Sequence, residues 1–170
     1  MDPRLELLWA PWRHAYVAAP RPPGETEGCF ICSGLSETAD RQNLIVHRTR
    51  ASVVILNRYP YNAGHLLIAP QQHKARPAEL SHEEILDSQL CLARCLEVLD
   101  AVLHPDGYNI GMNLGTAAGA GLPGHLHWHV VPRWVGDTNF MPVLYDVKVI
   151  SQSLNALWEL LDEHFRKATV

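Results

Sequence analysis

Three histidines, His125, His127 and His129, alternate with apolar residues directly after a glycine-rich segment. Successive side chains of a β-strand point to opposite faces, so a strand here places the imidazoles on one face and the apolar side chains on the other. The apolar set can then pack on a core while the imidazoles line a surface. Because three charged imidazoles would repel one another, we expect most of them to be neutral or bound to a ligand.

Three interpretations of this histidine segment remain open on its chemistry alone. The first is a polar strand face with incidental histidines, which regular alternation beside a glycine-rich loop disfavours. In the second, all three imidazoles bind one metal ion, although such sites often take a further ligand from elsewhere. The third is a nucleophilic histidine with assisting neighbours, because an imidazole is readily neutral near pH 7.

Cys29 and Cys32, separated by two residues, form a second group of potential ligands. Their spacing suits a metal site or a redox pair, and it also arises by coincidence. A thioredoxin-like site needs a β-α-β context, which the neighbouring sequence does not predict. Zinc needs two more ligands, typically cysteine or histidine. Cys91 and Cys95 lie four apart on a predicted helix and are interpreted as buried small apolar residues.

The elements that position these residues follow from periodicity and turn residues. Short apolar runs predict four strands, at residues 52–56, 65–70, 108–113 and 125–131. Ser81 and Glu84 fit a capping box that begins a long amphipathic helix ending near His104. Apolar spacing over residues 154–165 predicts a C-terminal helix, whereas residues 33–43 are polar and loop-like. This order predicts an α+β fold with an antiparallel sheet.

Composition sets the broad class of protein. The 170 residues are 47% hydrophobic and 19% charged, with a formal net charge of -4. We therefore expect one domain, with an N-terminal arm (1–28), a catalytic core (29–134) and a C-terminal extension with a helix (135–170). The chain has no apolar run of membrane-spanning length and no signal-peptide pattern at its start, so we expect a cytoplasmic protein without membrane partners. The mild acidity argues against a nucleic-acid binder.

The histidine segment resembles the His-x-His-x-His signature of the histidine triad (HIT) superfamily of nucleotide hydrolases and transferases. The resemblance covers most of the chain, since residues 56–70 look like the nucleotide-contacting hairpin and residues 113–124 like the phosphate-side segment. Residues 131–142, the Trp9–Arg13 segment and the cysteine pair are similar to bacterial HIT proteins of the diadenosine tetraphosphate phosphorylase type. The resemblance implies a HIT-like fold, with a five-stranded antiparallel sheet, a long helix and a C-terminal helix, and a homodimer.

The same resemblance implies roles for individual residues. His127 matches the histidine that attacks the α-phosphorus and becomes nucleotidylated, and His129 matches the one that contacts phosphate. Asn57 matches a ribose contact, and Asn113 matches a polar residue near the phosphates. His65 matches a histidine that some members place near the nucleotide.

The glycine-rich loop before the triad adds candidate phosphate donors. Glycine lets a backbone approach a ligand closely, so the N–H groups of Gly119, Gly121 and Gly124 are candidates. Many superfamily members carry a serine or glutamine a few residues before the triad, but residues 118–123 contain neither. The resemblance therefore assigns no side chain that assists the leaving group.

Zinc-bearing HIT proteins and the related galactose-1-phosphate uridylyltransferases imply a ligand set for the cysteine pair. Their ligands are a Cys-x-x-Cys pair, a histidine between the hairpin and the helix, and the first triad histidine. The matching residues here are Cys29, Cys32, His73 and His125. Four protein ligands leave no open position, so the implied zinc is structural.

These observations lead to the hypothesis of a HIT-type enzyme. It would cleave a dinucleoside polyphosphate, such as diadenosine tetraphosphate, or a related nucleotide through a nucleotidyl-His127 intermediate. Either water or orthophosphate would complete the reaction. The alternatives are a nucleotide-binding or sensing module with little turnover, a nucleotidyltransferase, and a metalloenzyme that uses all three triad histidines.

Overall fold

The structure, a computed structural model, describes residues 28–137 and 152–167. Within these ranges the strands are β1 (Ile45–Arg48), β2 (Ser52–Leu56), β3 (Leu66–Pro70), β4 (Gly107–Gly111) and β5 (Trp128–Arg133). The α-helices are α1 (Phe30–Ser36), α2 (His82–Leu103) and α3 (Leu154–Lys167). The Trp-rich arm before Gly28 and residues 138–151 of the predicted extension lie outside the described ranges. The division of the chain into arm, core and extension stays a prediction.

The strands form one antiparallel sheet in the order β1-β2-β3-β5-β4. This arrangement confirms the predicted α+β fold, the five-stranded sheet and the β2–β3 hairpin. β1 is the strand that the sequence pattern did not reveal. It is four residues long, and its pairing with β2 shifts register between Ile45 and His47, which breaks the alternation.

The strand predicted over 125–131 is β5, and its predicted start is wrong because it begins only at Trp128. The pairing of β3 with β5 stops before Pro70, which has no N–H with which to extend the ladder. The N–H of Leu126 instead donates to the carbonyl of Lys74 at 2.6 Å. The first two triad histidines therefore lie beyond the end of the sheet pairing.

The expectation of a loop over residues 33–43 is wrong in its first part, because α1 continues to Ser36. The thiol of Cys29 caps this helix by accepting the N–H of Cys32 at 3.4 Å. The side chain of Ile31 is fully buried in the core. Cysteine is not among the usual N-capping residues, so the pattern contains no start signal.

α2 begins at the predicted capping box. Ser81 Oγ accepts the N–H of Glu84 at 3.2 Å, and the Glu84 carboxylate accepts the N–H of Ser81 at 2.7 Å. Lys74 pairs with the same carboxylate at 2.6 Å, which lowers the pKa of Glu84 and attaches the segment after β3 to the helix. α2 ends at Leu103, and His104 has a left-handed φ of 47°.

The predicted C-terminal helix is α3, which packs against β1 and α2. Trp158 Nε1 donates to a backbone carbonyl of β1 at 2.8 Å. Phe165 stacks on His47 with ring centroids 4.8 Å apart. Cys91 and Cys95 are buried in the core as expected. Among the described residues, we find no helix long and apolar enough to cross a membrane.

The β2–β3 loop approaches the end of α2 at Gly64. This residue has a φ of +74°, and a Cβ atom here would lie 2.5 Å from Cδ1 of Leu103. Only glycine accommodates both the dihedral and the close approach. The packing of this loop on α2 therefore sets the position of the next residue, His65.

Candidate active site and metal centre

The three triad histidines differ in burial. His125 is fully buried and His127 is 7% exposed, whereas His129 is partly exposed. Of the three imidazoles expected to line a surface, only that of His129 is more than slightly exposed. The segment after β3 lies against this end of β5, since the N–H of Leu126 donates to the carbonyl of Lys74 and the ring of His73 lies 4.9 Å from that of His125 between centroids.

His127 has one defined tautomer. Its Nδ1 lies 2.9 Å from the backbone carbonyl of His125, and a carbonyl accepts only, so Nδ1 carries the proton. The lone pair is therefore on Nε2. Burial lowers the pKa of His127, which keeps the ring neutral near pH 7. A neutral imidazole with a free Nε2 can act as a nucleophile.

A chain of hydrogen bonds fixes the tautomer of His129 in the same way. The N–H of Tyr61 donates to Nδ1 of His65 at 3.0 Å, and Nδ2 of Asn57 lies 3.2 Å from the same nitrogen. His65 therefore carries its proton on Nε2 and donates it to Nδ1 of His129 at 2.9 Å. It follows that His129 carries its own proton on Nε2.

The Nε2–H of His129 is a buried donor, and it has no hydrogen-bond partner within the described residues. An unpaired buried donor costs about 1–3 kcal/mol, a cost that a bound acceptor removes. Burial, with a further contribution from His127, lowers the pKa of His129 to about 4. The two rings, 5.0 Å apart between centroids, thus present the unprotonated Nε2 of His127 beside a neutral N–H donor of His129. This arrangement suits attack on a phosphate group.

Cys29, Cys32, His73 and His125 form a cluster that could hold a metal ion. One ligand atom from each lies within 4.8 Å of the others. Cys29 Sγ is 3.3 Å from Nδ1 of His125, and Cys32 Sγ is 3.2 Å from Nδ1 of His73. The cluster joins the start of α1, the segment after β3 and the approach to β5.

The electrostatics of this cluster fit a cation. The Nε2–H of His125 donates to the carbonyl of Pro70 at 2.8 Å, so its Nδ1 lone pair faces the thiols. A second nitrogen held by a carbonyl is typical of metal-binding histidines. Burial and the neighbouring Cys29 thiol raise the pKa of Cys32 to about 11. A bound cation would supply the charge that converts both thiols to thiolates.

His125 connects the cluster to His127. Its ring belongs to the metal-ligand set, and its backbone carbonyl accepts the Nδ1–H of His127. A metal bound to this ring would therefore hold in place the peptide group that orients His127.

The structure also gives positions for the predicted nucleotide-contacting residues Asn57, Asn113 and His65. Asn57 lies at the end of β2, where its Oδ1 accepts the N–H of Tyr59 at 3.0 Å. Asn113 lies two residues beyond β4, and since Gly111 pairs with His129 it stands near the level of the triad. The fully buried His65 contacts His129 directly.

The three glycines predicted to donate to phosphate, Gly119, Gly121 and Gly124, lie between β4 and β5. The N–H of Gly119 donates to the carbonyl of Thr116 at 2.9 Å, so it closes a turn of the loop. Gly121 is exposed. Gly124 packs beside the cluster, since a Cβ there would lie 3.3 Å from Nε2 of His73.

Tyr61 lies beside the triad, and the sequence pattern did not single it out. Its ring lies 4.7 Å from that of His65 and 5.7 Å from that of His129 between centroids. In the sequence it is only one residue of the loop between two predicted strands. The available signal was its aromatic type, four positions before a histidine in the nucleotide-contacting hairpin.

Comparison with known proteins identifies the family. A family model described as the HIT domain matches residues 38–135, and the chain belongs to this family. It is 36% identical over 162 residues to the AP-4-A phosphorylase of Mycobacterium tuberculosis, covering 93% of this chain and 83% of that protein.

Two further similarities concern the sequence and the fold. The chain is 30% identical over 101 residues to the asymmetrical bis(5'-nucleosyl)-tetraphosphatase of Schizosaccharomyces pombe, covering 59% of this chain and 55% of that protein. The fold is similar to that of a Zn-bound histidine triad family protein from Mycobacterium smegmatis. That structure superposes with a TM-score of 0.66 at 24% identity, covering 84% of this chain and 96% of the other.

Proposed function

We propose that this protein is an enzyme that cleaves dinucleoside polyphosphates such as diadenosine tetraphosphate. The observation that carries the proposal is the pair formed by His127, with its lone pair on Nε2, and His129, whose buried Nε2 donor has no partner among the residues that the structure describes. The names of the relatives, a phosphorylase and a tetraphosphatase, indicate the same substrate class.

In the proposed reaction, Nε2 of His127 attacks the α-phosphorus. A P–N bond forms, and the P–O bond to the β-phosphate breaks, so the remaining nucleoside polyphosphate leaves as an anion. The Nδ1–H of His127 remains hydrogen-bonded to the carbonyl of His125, and this bond stabilises the positive charge that the ring gains. The Nε2–H of His129 donates to an oxygen around the phosphorus. An acceptor then attacks the same phosphorus and releases His127.

Four further residues have proposed roles around this reaction. Asn57 contacts the ribose, and Asn113 and the N–H of Gly121 lie beside the phosphates. His65 is a positioning residue, because it is fully buried and acts by holding the tautomer of His129.

We propose that the metal in the cluster is zinc. Two thiolates and two imidazoles are a usual ligand set for a structural zinc site. The zinc would supply a rigid cross-link and no reactive position, because all four ligands come from the protein. Cys29, Cys32 and His73 would thereby hold His125, and through it the orientation of His127.

Orthophosphate is the proposed acceptor, which gives a nucleoside diphosphate. The 36% identity to a protein named a phosphorylase supports this choice. We expect diadenosine tetraphosphate to be cleaved faster when orthophosphate is added, with ADP as a product. The measurement is chromatographic product analysis with and without phosphate at fixed ionic strength, so that screening is not mistaken for an acceptor effect. AMP and ATP in both samples at equal rates would make the protein a hydrolase.

We also propose a homodimer in which two sheets lie side by side along β4. Among the described strands β4 is at one edge of the sheet, and its Ile110 side chain is 43% exposed. An exposed edge strand offers unpaired backbone groups to a second copy. Light scattering should give twice the 19.0 kDa chain mass, and Ile110→Lys should shift the mass towards one chain. A single-chain mass for the wild type would contradict the proposal.

A further inference from the structure

Tyr61 offers an open aromatic surface next to the triad. Its ring lies nearly parallel to that of His129, at an interplanar angle of 22°, and tilts against His65. The side chain is nevertheless 45% exposed. One side of the ring is therefore covered by imidazoles, and the rest of it is available to a ligand.

The loop that carries Tyr61 is already ordered for binding. The N–H of Tyr61 is held by His65 at 3.0 Å. The next residue, Asn62, is 6% exposed and donates to the carbonyl of Pro132 at 3.1 Å and to Asp137 at 2.7 Å. An aromatic ring on such an anchored backbone loses little conformational freedom when it stacks on a ligand.

We propose that the outer face of Tyr61 is the stacking site for the second base of a dinucleoside polyphosphate, on the half that departs. This inference rests on the proposed function. The first nucleoside is esterified directly to the phosphorus that His127 attacks. The second nucleoside is separated from it by the remaining phosphates. The ring contacts of Tyr61 with His129 and His65 place it next to the histidine proposed to contact the phosphates, and so beside the phosphates that lead to the second nucleoside.

This geometry makes Tyr61 a specificity-determining residue. Stacking of a base on an aromatic ring tolerates any base but requires that a base be present. The protein should therefore prefer a dinucleoside tetraphosphate to a nucleoside tetraphosphate with the same number of phosphates. The preference should depend on the ring of Tyr61 and not on its hydroxyl group.

The test measures equilibrium binding to a His127→Asn protein, which cannot turn the ligand over. The two probes are diadenosine tetraphosphate and adenosine 5'-tetraphosphate. We expect Tyr61→Ala to weaken binding of the first about tenfold and to leave binding of the second unchanged. Tyr61→Phe should bind both probes with the same affinities as the protein that keeps Tyr61. Tyr59→Ala is the matched control, since that tyrosine lies two residues away and is 81% exposed, and it should change neither affinity.

Each other outcome overturns the inference. Equal losses on both probes would mean that Tyr61 acts through His129 and His65. Equal affinities for both probes before mutation, or an unchanged affinity in Tyr61→Ala, would mean that the ring holds no second base. The proposed function is judged separately, by turnover of the wild-type protein. Selective binding without turnover would refute the proposed enzyme activity and support the stacking site. Turnover without selective binding would support the enzyme activity and refute the stacking site.

Discussion

Replacement of His127 by asparagine is expected to lower kcat/KM for diadenosine tetraphosphate roughly ten-thousandfold. The asparagine side chain can keep an N–H for the His125 carbonyl, which accepts from Nδ1 at 2.9 Å in the wild type. It has no lone pair where Nε2 stood, so no covalent intermediate can form. Steady-state kinetics give the rate, and intact-mass analysis after brief incubation should show a nucleotidyl adduct on the wild type alone.

The matched control for this prediction is His104→Asn. It exchanges the same residue types at the left-handed position after α2, a conformation that asparagine tolerates, and it should keep full activity and the adduct. An adduct on His127→Asn, or a rate within about tenfold of wild type, would place the nucleophile elsewhere. A wild type that binds the substrate without adduct or turnover would favour a binding module, which the absence of serine and glutamine in residues 118–123 would then explain.

Loss of the bound metal is the second large expected effect. Cys29→Ser should abolish binding of the metal, which we expect at about one zinc per wild-type chain. A metal that binds only the folded state stabilises it by about 4 kcal/mol at a thousandfold excess over Kd. For a domain of this size that corresponds to a fall in Tm on the order of 10 °C. Elemental analysis and thermal unfolding measure the two effects.

Two variants distinguish a metal held by this cluster from a metal held by the triad histidines or by another thiol. Cys91→Ala removes a buried thiol of α2 that lies outside the cluster, so it should keep the metal. His127→Asn should also keep it, because His127 is not in the ligand set. Metal retained by Cys29→Ser would refute the cluster. Metal lost from His127→Asn would instead support a site built from the triad histidines.

Local patterns in the sequence were sufficient where the determining contacts are themselves local. The capping box of Ser81 and Glu84 depends on backbone and side chains within one turn, and the structure has both of its hydrogen bonds. The β2–β3 hairpin follows from two apolar runs and the turn residues between them. The ligand set of the cluster was implied by resemblance to known HIT proteins, and its four residues do lie together.

The elements that local patterns missed depend on distant partners. β1 is short and irregular in register, and it is held by β2 and by Trp158 of α3. α1 is capped by a thiol that also faces His125, 96 residues further along the chain. The pairing of β5 with β3 begins at Trp128, and before it the N–H of Leu126 donates to Lys74, 52 residues earlier in the chain.

By itself the sequence determined which chemical groups are available: three alternating imidazoles, a cysteine pair and a glycine-rich loop beside them. Only the tertiary structure decided their protonation and burial. The alternation of a strand is the same for all three histidines, yet the carbonyl of His125 places the proton of His127 on Nδ1. The bond from His65 places the proton of His129 on Nε2. The reason is physical: the tautomer of an imidazole depends on which donors and acceptors surround it, and for His129 the partner is His65, which lies 64 residues earlier and is brought beside β5 by the fold.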